Sequence, residues 1–309
     1  MGLVVYPERM RARLISKFKA DLGLLSVTVF WGTTFVLSKL TLTEVPLSTY
    51  LFLRLTLAAL ALDLYALRFI KKLNRKTLLH GTILGVLLYL SYLFQMWGIQ
   101  HTTASNAGFI TGISVVLVPV FGYIFFRIKP ATIVLMGISL ATAGLLLLTG
   151  ANPLAWNQGD MLVLICAVVV TFHVIFTGRF APQSNVYLLT AVELTTVSIL
   201  TLFVLPFTGL SLPSLTTQSM FTLIYLALFG TVYTFLMQTS MQRYTTTART
   251  ALVFSMEPVF AALFAFLLAG EVLGLRACLG GSLIVLGMIS AEVPWVTILR
   301  RSIRTNTSQ

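Results

Sequence analysis

Five ionisable side chains stand inside stretches otherwise too apolar to face water: Arg54, Asp63, His173, Glu193 and Glu257. Holding a charge at such a depth costs about 2.5–3.5 kcal/mol on membrane-insertion scales, so groups of this kind bind, pair or move protons by default. Glu257 is followed directly by Pro258. Proline lacks an N–H and leaves a carbonyl one turn earlier without its helical donor, which suits an irregular segment lining a cavity. A carboxyl group there either exchanges a proton or meets an ammonium group, or else stays protonated and bonds a neighbouring helix. His173 fits an interhelical hydrogen bond or a proton relay. Arg54 and Glu193 stand 139 residues apart. They fit an ion pair, caps for their own helices, or contacts to a solute. Asp63 falls near the charged end of its apolar stretch, where an interfacial position accounts for it.

Uncharged polar side chains are more numerous in these stretches: Thr33, Thr34, Gln95, Asn106, Thr111, Ser114, Thr171, Gln238 and Ser255. Together with Trp31, Trp97 and several tyrosines they suit a pathway of mixed character for a small amphipathic solute. Enzymatic chemistry finds no footing. There is no HExxH, paired acidic motif, nucleophile elbow or phosphate loop, and His80, His101 and His173 have no ligand spacing. No catalytic residue, metal site or cofactor is expected, and no segment is long enough for a soluble ATPase domain. Cys166 and Cys278 lie in apolar segments and read as packing residues.

The elements that must position these groups follow from hydropathy. The chain is 57% hydrophobic and 10% charged, with a mean hydropathy of +0.93; lipid is its expected solvent. Fifty consecutive residues between Lys76 and Arg127 carry no Asp, Glu, Lys or Arg, and forty-nine more lie between Glu193 and Arg243. Each run holds two spans of about 20 residues. Spans are predicted at 22–40, 47–69, 78–99, 105–126, 131–149, 161–178, 186–207, 218–240, 250–269 and 276–295, with breakers such as Pro46, Pro130, Pro153, Pro182 and Pro213 between them. Ten spans put both termini on one face, and that face then carries eighteen of the twenty-one Lys and Arg residues. This is the positive-inside pattern, so both termini are expected in the cytoplasm. The same placement explains the net charge of +12 without nucleic acid, whose phosphates would need a basic face. The apolar stretch after the basic N-terminus lacks a small-x-small cleavage site and is expected to stay as the first helix.

The two halves resemble each other. LFQMWGIQ (Leu93 to Gln100) is echoed by LMQTSMQ (Leu236 to Gln242), and the proline-bearing runs around Pro119 and Pro258 share PVF at an offset of 139 residues. An odd number of helices per unit turns the second copy upside down. Inverted repeats of this kind build many secondary transporters, with the solute site at the repeat interface near the bilayer midplane and Pro119 and Pro258 placed as hinges. The spacings Gly81/Gly85 and Gly108/Gly112 allow close helix contact and read as packing.

Several segments in this order resemble one family: FWGTTFVLSK (Phe30 to Lys39), the arginine of FLRLTLAAL (Phe52 to Leu60), TTASNAGFITG (Thr102 to Gly112), the Gly159–Asp160 pair, and TTTARTALVFSMEPVFAALFAFLLAGE (Thr245 to Glu271). Together they are similar to the EamA family of drug/metabolite transporters. The resemblance implies an all-α integral membrane protein of ten transmembrane helices in two inverted five-helix repeats, at 21–150 and 159–295, flanked by a basic segment at 1–20 and a basic tail at 296–309. It also implies a multi-pass protein of the bacterial inner membrane and efflux of amino acids or similar metabolites, with protons as a candidate partner. The related alternatives are antiport of phosphorylated or nucleotide sugars, and a non-transporting sensor or assembly protein. The cavity helices of relatives would bring Trp31, Thr34, Gln95, Asn106, Thr111, His173, Gln238 and Glu257 together. Two departures stand out: FFRIKP (Phe125 to Pro130) replaces the Gly-Glu that the second copy keeps as Gly270 and Glu271, and Glu193 stands where glutamine is frequent.

Overall fold

A computed structural model describes residues 8–149, 157–208, 215–270 and 274–292. These residues are helical almost throughout. The chain runs through α1 (Glu8–Thr41), α2 (Leu47–Ala66), α3 (Arg75–Ile99), α4 (Ala104–Gly112), α5 (Ser114–Phe126), α6 (Thr132–Thr149), α7 (Gln158–Phe180), α8 (Val186–Thr208), α9 (Thr217–Ala227), α10 (Thr234–Met241), α11 (Thr247–Phe254), α12 (Glu257–Ala269) and α13 (Leu275–Glu292). Polar residues at the apolar boundaries start the helices. Asn74 Oδ1 accepts from Thr77 N at 2.8 Å, Thr216 Oγ1 from Ser219 N at 3.1 Å and Thr246 Oγ1 from Arg249 N at 3.3 Å. Each satisfies one of the amide groups a helix leaves open at its N-terminus. Left-handed residues stop two of them, Arg127 after α5 (φ 57°) and Gly270 after α12 (φ 68°).

Among the described residues, eight helical segments are long and apolar enough to cross a membrane. Two further apolar helices, Thr132–Leu147 and Cys278–Ser290, are shorter than the rest. Both adjoin stretches outside the described residues, and the tail at 296–309 and Glu271 lie outside them. Three of the crossing segments are interrupted. Between α4 and α5 the Ile113 amide bonds Ile110 O at 3.1 Å and Val116 bonds Ile113 O at 2.9 Å, a tight three-residue turn. Between α11 and α12 the Ser255 amide is shared by Ala251 O and Leu252 O, and Met256 bonds Val253 O at 3.0 Å. Glu257 therefore begins a new helix within the single span predicted at 250–269. Between α9 and α10 a wide π-helical turn runs from Leu228 to Tyr233.

Polar groups point in and large apolar ones point out. Leu64, Phe203 and Leu275 are 71%, 70% and 76% exposed, while Arg54 and Glu193 are 1% and 0% exposed. Such a distribution suits lipid on the outside, where every backbone group must already be bonded within the helix. The Gly81/Gly85 spacing makes the expected close contact, a Cβ on Gly85 meeting Thr196 Cβ at 2.5 Å and Glu193 O at 2.6 Å, whereas Gly108 and Gly112 face Pro258 at ordinary contact distance. Helices α3 and α8 thus pack backbone to backbone, and the α4–α5 rod crosses the α11–α12 rod where both are broken.

Candidate functional site

A cavity of about 60 Å³ lies among helices from both halves of the chain. Trp31 and Thr34 reach it from α1, Gln95 from α3 and Thr111 from α4. His173 comes from α7, Gln238 from α10 and Glu257 from the break before α12. The Asn106 side chain lies outside the described residues. Arg54, Tyr92, Ser91, Cys166 and Phe235 complete the polar and aromatic wall, and of these only Arg54 stands out in the sequence. A repeat-based clue to Tyr92 exists: it is 139 residues from Thr231, and the two hydroxyls lie 3.3 Å apart.

Arg54 is held by neutral partners. Its Nε donates to Thr231 Oγ1 at 3.1 Å; one terminal nitrogen donates to Tyr50 Oη at 2.7 Å and Ser38 Oγ at 3.3 Å; the other donates to Tyr92 Oη at 3.1 Å and Gly230 O at 3.2 Å. All five N–H donors of the guanidinium are used, and α1, α2, α3 and the wide turn are tied together by one side chain. The guanidinium also lies 4.8 Å from the Tyr92 ring centroid, a cation–π contact. The wide turn matters here, because its geometry aims the Gly230 carbonyl at Arg54, and a Cβ on Gly230 would meet Thr34 Cγ2 at 2.8 Å.

The ion pair between Arg54 and Glu193 that their repeat spacing suggests is not made, nor does either cap a helix. Glu193 Oε1 instead lies 2.7 Å from His173 Nε2, and its Oε2 is buried without a partner. Equivalence in a repeat puts two residues at matching places in their own halves; it does not bring them into contact. Asp63 accepts from Thr195 Oγ1 at 2.8 Å outside the cavity. Several other polar groups are turned away from the site. Thr171 bonds Ala167 O on its own helix at 2.8 Å, Ser255 bonds Leu252 O at 2.6 Å, and Thr33 bonds Phe30 O and Tyr225 Oη. Trp97 is 41% exposed and does not line the cavity. Hydroxyls in apolar helices often fold back on the preceding turn in this way, which residue type alone does not reveal.

Glu257 differs from all of these. Among the described residues no hydrogen-bond partner reaches its carboxyl group, which opens on the cavity. Phe235 packs tilted and Phe254 edge-on against Trp31, with centroids 5.6 and 5.0 Å apart, and Trp31 with Phe235 forms an aromatic wall on the same space.

Two polar ties join helices of the two halves. Arg249 at the start of α11 donates to both oxygens of Asp21 on α1, with Nη2 at 2.8 Å and Nε at 3.0 Å. Asp160, 139 residues after Asp21, accepts from Thr102 Oγ1 at 2.5 Å just before α4. Asp160 also closes a capping box with Asn157 at the start of α7. In each half the first helix holds the start of the broken helix of the other half. Lys39 adds a bond to Thr102 O at 3.0 Å.

Residues 18–150 and 157–291 match the model of the EamA-like transporter family. An uncharacterized transporter of Archaeoglobus fulgidus is 30% identical over 275 residues, covering 89% of this chain and 86% of that protein. The uncharacterized transporter YoaV of Bacillus subtilis is 25% identical, covering 87% of this chain and 95% of its own. A solved crystal structure superposes with a TM-score of 0.72 at 17% identity, over 88% of this chain and 97% of that one. This last likeness concerns the fold alone.

Proposed function

Because the chain belongs to the EamA-like transporter family, we propose that it is a secondary transporter of the bacterial inner membrane that exports amino acids or similar small amphipathic metabolites by alternating access. The observation that carries this reading is one cavity walled by both repeats, beside two broken helices, onto which Glu257 opens with no hydrogen-bond partner among the described residues. Solute sites at the interface of repeats, formed by interrupted helices, are the recurring plan of secondary transporters. In this reading the units are 21–150 and 159–295, ten helices cross the bilayer in inverted repeats, and both termini face the cytoplasm.

Glu257 then meets the solute's ammonium group, and Trp31 with Phe235 takes its apolar part. The cavity holds about four to six waters at its present volume. In this reading the two inter-helix ties at Asp21 and Asp160 act as latches, and the walls part to admit solute. Arg54 contributes a fixed positive charge but keeps all its donors on protein atoms, which weighs against phosphorylated sugars, since phosphate is normally held by free cationic donors. Nothing observed favours enzymatic turnover or a partner-dependent sensor role.

The test is efflux of labelled amino acids from proteoliposomes. Losing a charge-assisted contact of about 1.5–3 kcal/mol predicts a fall of roughly 10- to 100-fold in flux for Glu257→Gln. Unchanged flux in this variant across pH overturns the assignment of Glu257, and no flux of any amino acid in the wild type overturns the solute class.

A further inference from the structure

Glu193 cannot touch a solute, for it is fully buried behind His173. Its one bond is to His173 Nε2 at 2.7 Å, and its second oxygen is unpartnered. His173 in turn lines the cavity, so among the described residues the imidazole is the hydrogen-bonded link between this buried carboxylate and that space. A contacting carboxylate and imidazole are neutral together when the exchangeable proton between them is present, whichever atom holds it, and Nδ1 then carries hydrogen. When one proton leaves, Nδ1 becomes a bare acceptor, Nε2–H donates to the carboxylate, and the pair bears one negative charge.

The neighbours make both states tenable. Phe235 covers the imidazole edge-on at 5.7 Å between centroids. Facing the pair are Arg54 from α2, Tyr92 from α3, Cys166 on α7 and Glu257 from α12, all on the wall of the same cavity. Arg54 is the fixed positive charge among them and its bonds go only to neutral groups. Tyr92 lies within electrostatic reach of both Arg54 and Glu193. A negatively charged pair is therefore balanced by Arg54 without an ion pair that would lock either partner.

We propose that the His173–Glu193 pair carries the coupling proton of transport. An ammonium group entering the cavity displaces the proton from Nδ1 through cavity water to the bulk, so the N–H bond breaks, the imidazole keeps the electron pair, and one positive group replaces another beside the pair. Return of a proton to Nδ1 expels the ammonium group by the same exchange. Glu193 is a positioning residue here, acting through His173, and the assignment rests on the transport reading above.

Two measurements on the full chain separate the possibilities. In proteoliposomes the readout is the ratio of labelled amino-acid flux with an imposed pH gradient to flux without one. The wild type is expected to exceed unity, Glu193→Gln and His173→Gln to fall to unity whatever their absolute flux, and Glu193→Asp to recover part of the response. A lesion that only loosened packing would lower both fluxes alike. An unaltered ratio in Glu193→Gln overturns the proposal. In nanodiscs, ¹⁵N-histidine spectra, assigned with His173→Gln among the three histidines, are expected to show Nδ1 losing its hydrogen when an equimolar mixture of the standard L-amino acids is added. Wild-type flux with no change at Nδ1 also overturns the proposal and leaves the transport reading intact. Loss of the Nδ1 hydrogen without any flux supports the proton site and overturns the transport reading instead.

Discussion

In the alternating-access reading proposed above, the tie between Asp21 and Arg249 latches one face of the cavity, and its strength can be measured. Asp21→Asn keeps the shape of the side chain and removes its charge. The lost interaction consists of two oxygens gripped by Nε and Nη2 at 2.8–3.2 Å, with the Asp side chain 8% and the Arg side chain 20% exposed. Bonds to charged partners contribute about 1.5–3 kcal/mol when buried, and exposed pairs about 0–1 kcal/mol. This pair lies between those limits, at about 1–2 kcal/mol, which raises the population opened at that face by about 5- to 30-fold. The chain carries its own reporter. Cys166 lines the cavity and is fully buried in the closed arrangement, while Cys278, the other cysteine, is exposed and is replaced by serine. In oriented vesicles, a membrane-impermeant maleimide applied from the face where α1 begins should alkylate Cys166 of Asp21→Asn faster by that factor. The charge swap Asp21→Arg with Arg249→Asp should restore the slow rate. Equal acceleration from both faces, or none, refutes the idea that this pair latches a single end.

Packing yields further expectations. Gly85→Ala pushes a methyl group into Thr196 Cβ and Glu193 O, which predicts a loss of about 1–3 kcal/mol by overpacking, read as a lower Tm in detergent. Gly230→Ala meets the Thr34 methyl at 2.8 Å and the Arg54 guanidinium at 3.3 Å. It should destabilise by a similar amount, and Thr34→Ser, which removes the opposing methyl, should recover part of the loss in a double-mutant cycle.

Much of the scaffold is legible in the sequence because lipid imposes length. The uncharged runs mark where helices lie, Asn74, Thr216 and Thr246 announce their starts, and Pro119 and Pro258 signal interrupted helices. The break at Ser255–Met256 falls in the turn that Pro258 deprives of a donor, whereas the break at Ile113 lies six residues before Pro119, which the structure places inside α5 and not at the hinge expected of it. Trp31, Gln95, His173 and Glu257 are readable as polar or amphipathic groups in apolar surroundings. Their partners are not. Which hydroxyl turns toward Arg54 and which bonds its own helix depends on rotamer and helix rotation, so Tyr92 and Thr231 go unnoticed while Trp97 misleads. The grip of Arg249 on Asp21 spans 228 residues, and no local pattern reports it. The wide turn at Leu228–Tyr233 is equally silent, because it needs neither proline nor a run of unusual residues.

That turn has a mechanical corollary. It stores one surplus residue in the rod formed by α9 and α10, and relaxing it to ordinary α-helical winding would twist everything beyond it by about 100°. Phe235 and Gln238 would swing off the cavity wall together, and the Gly230 carbonyl would leave the guanidinium it now meets. Such a rewinding would have to break two of the five bonds of Arg54, those to Thr231 and Gly230, so the guanidinium opposes it.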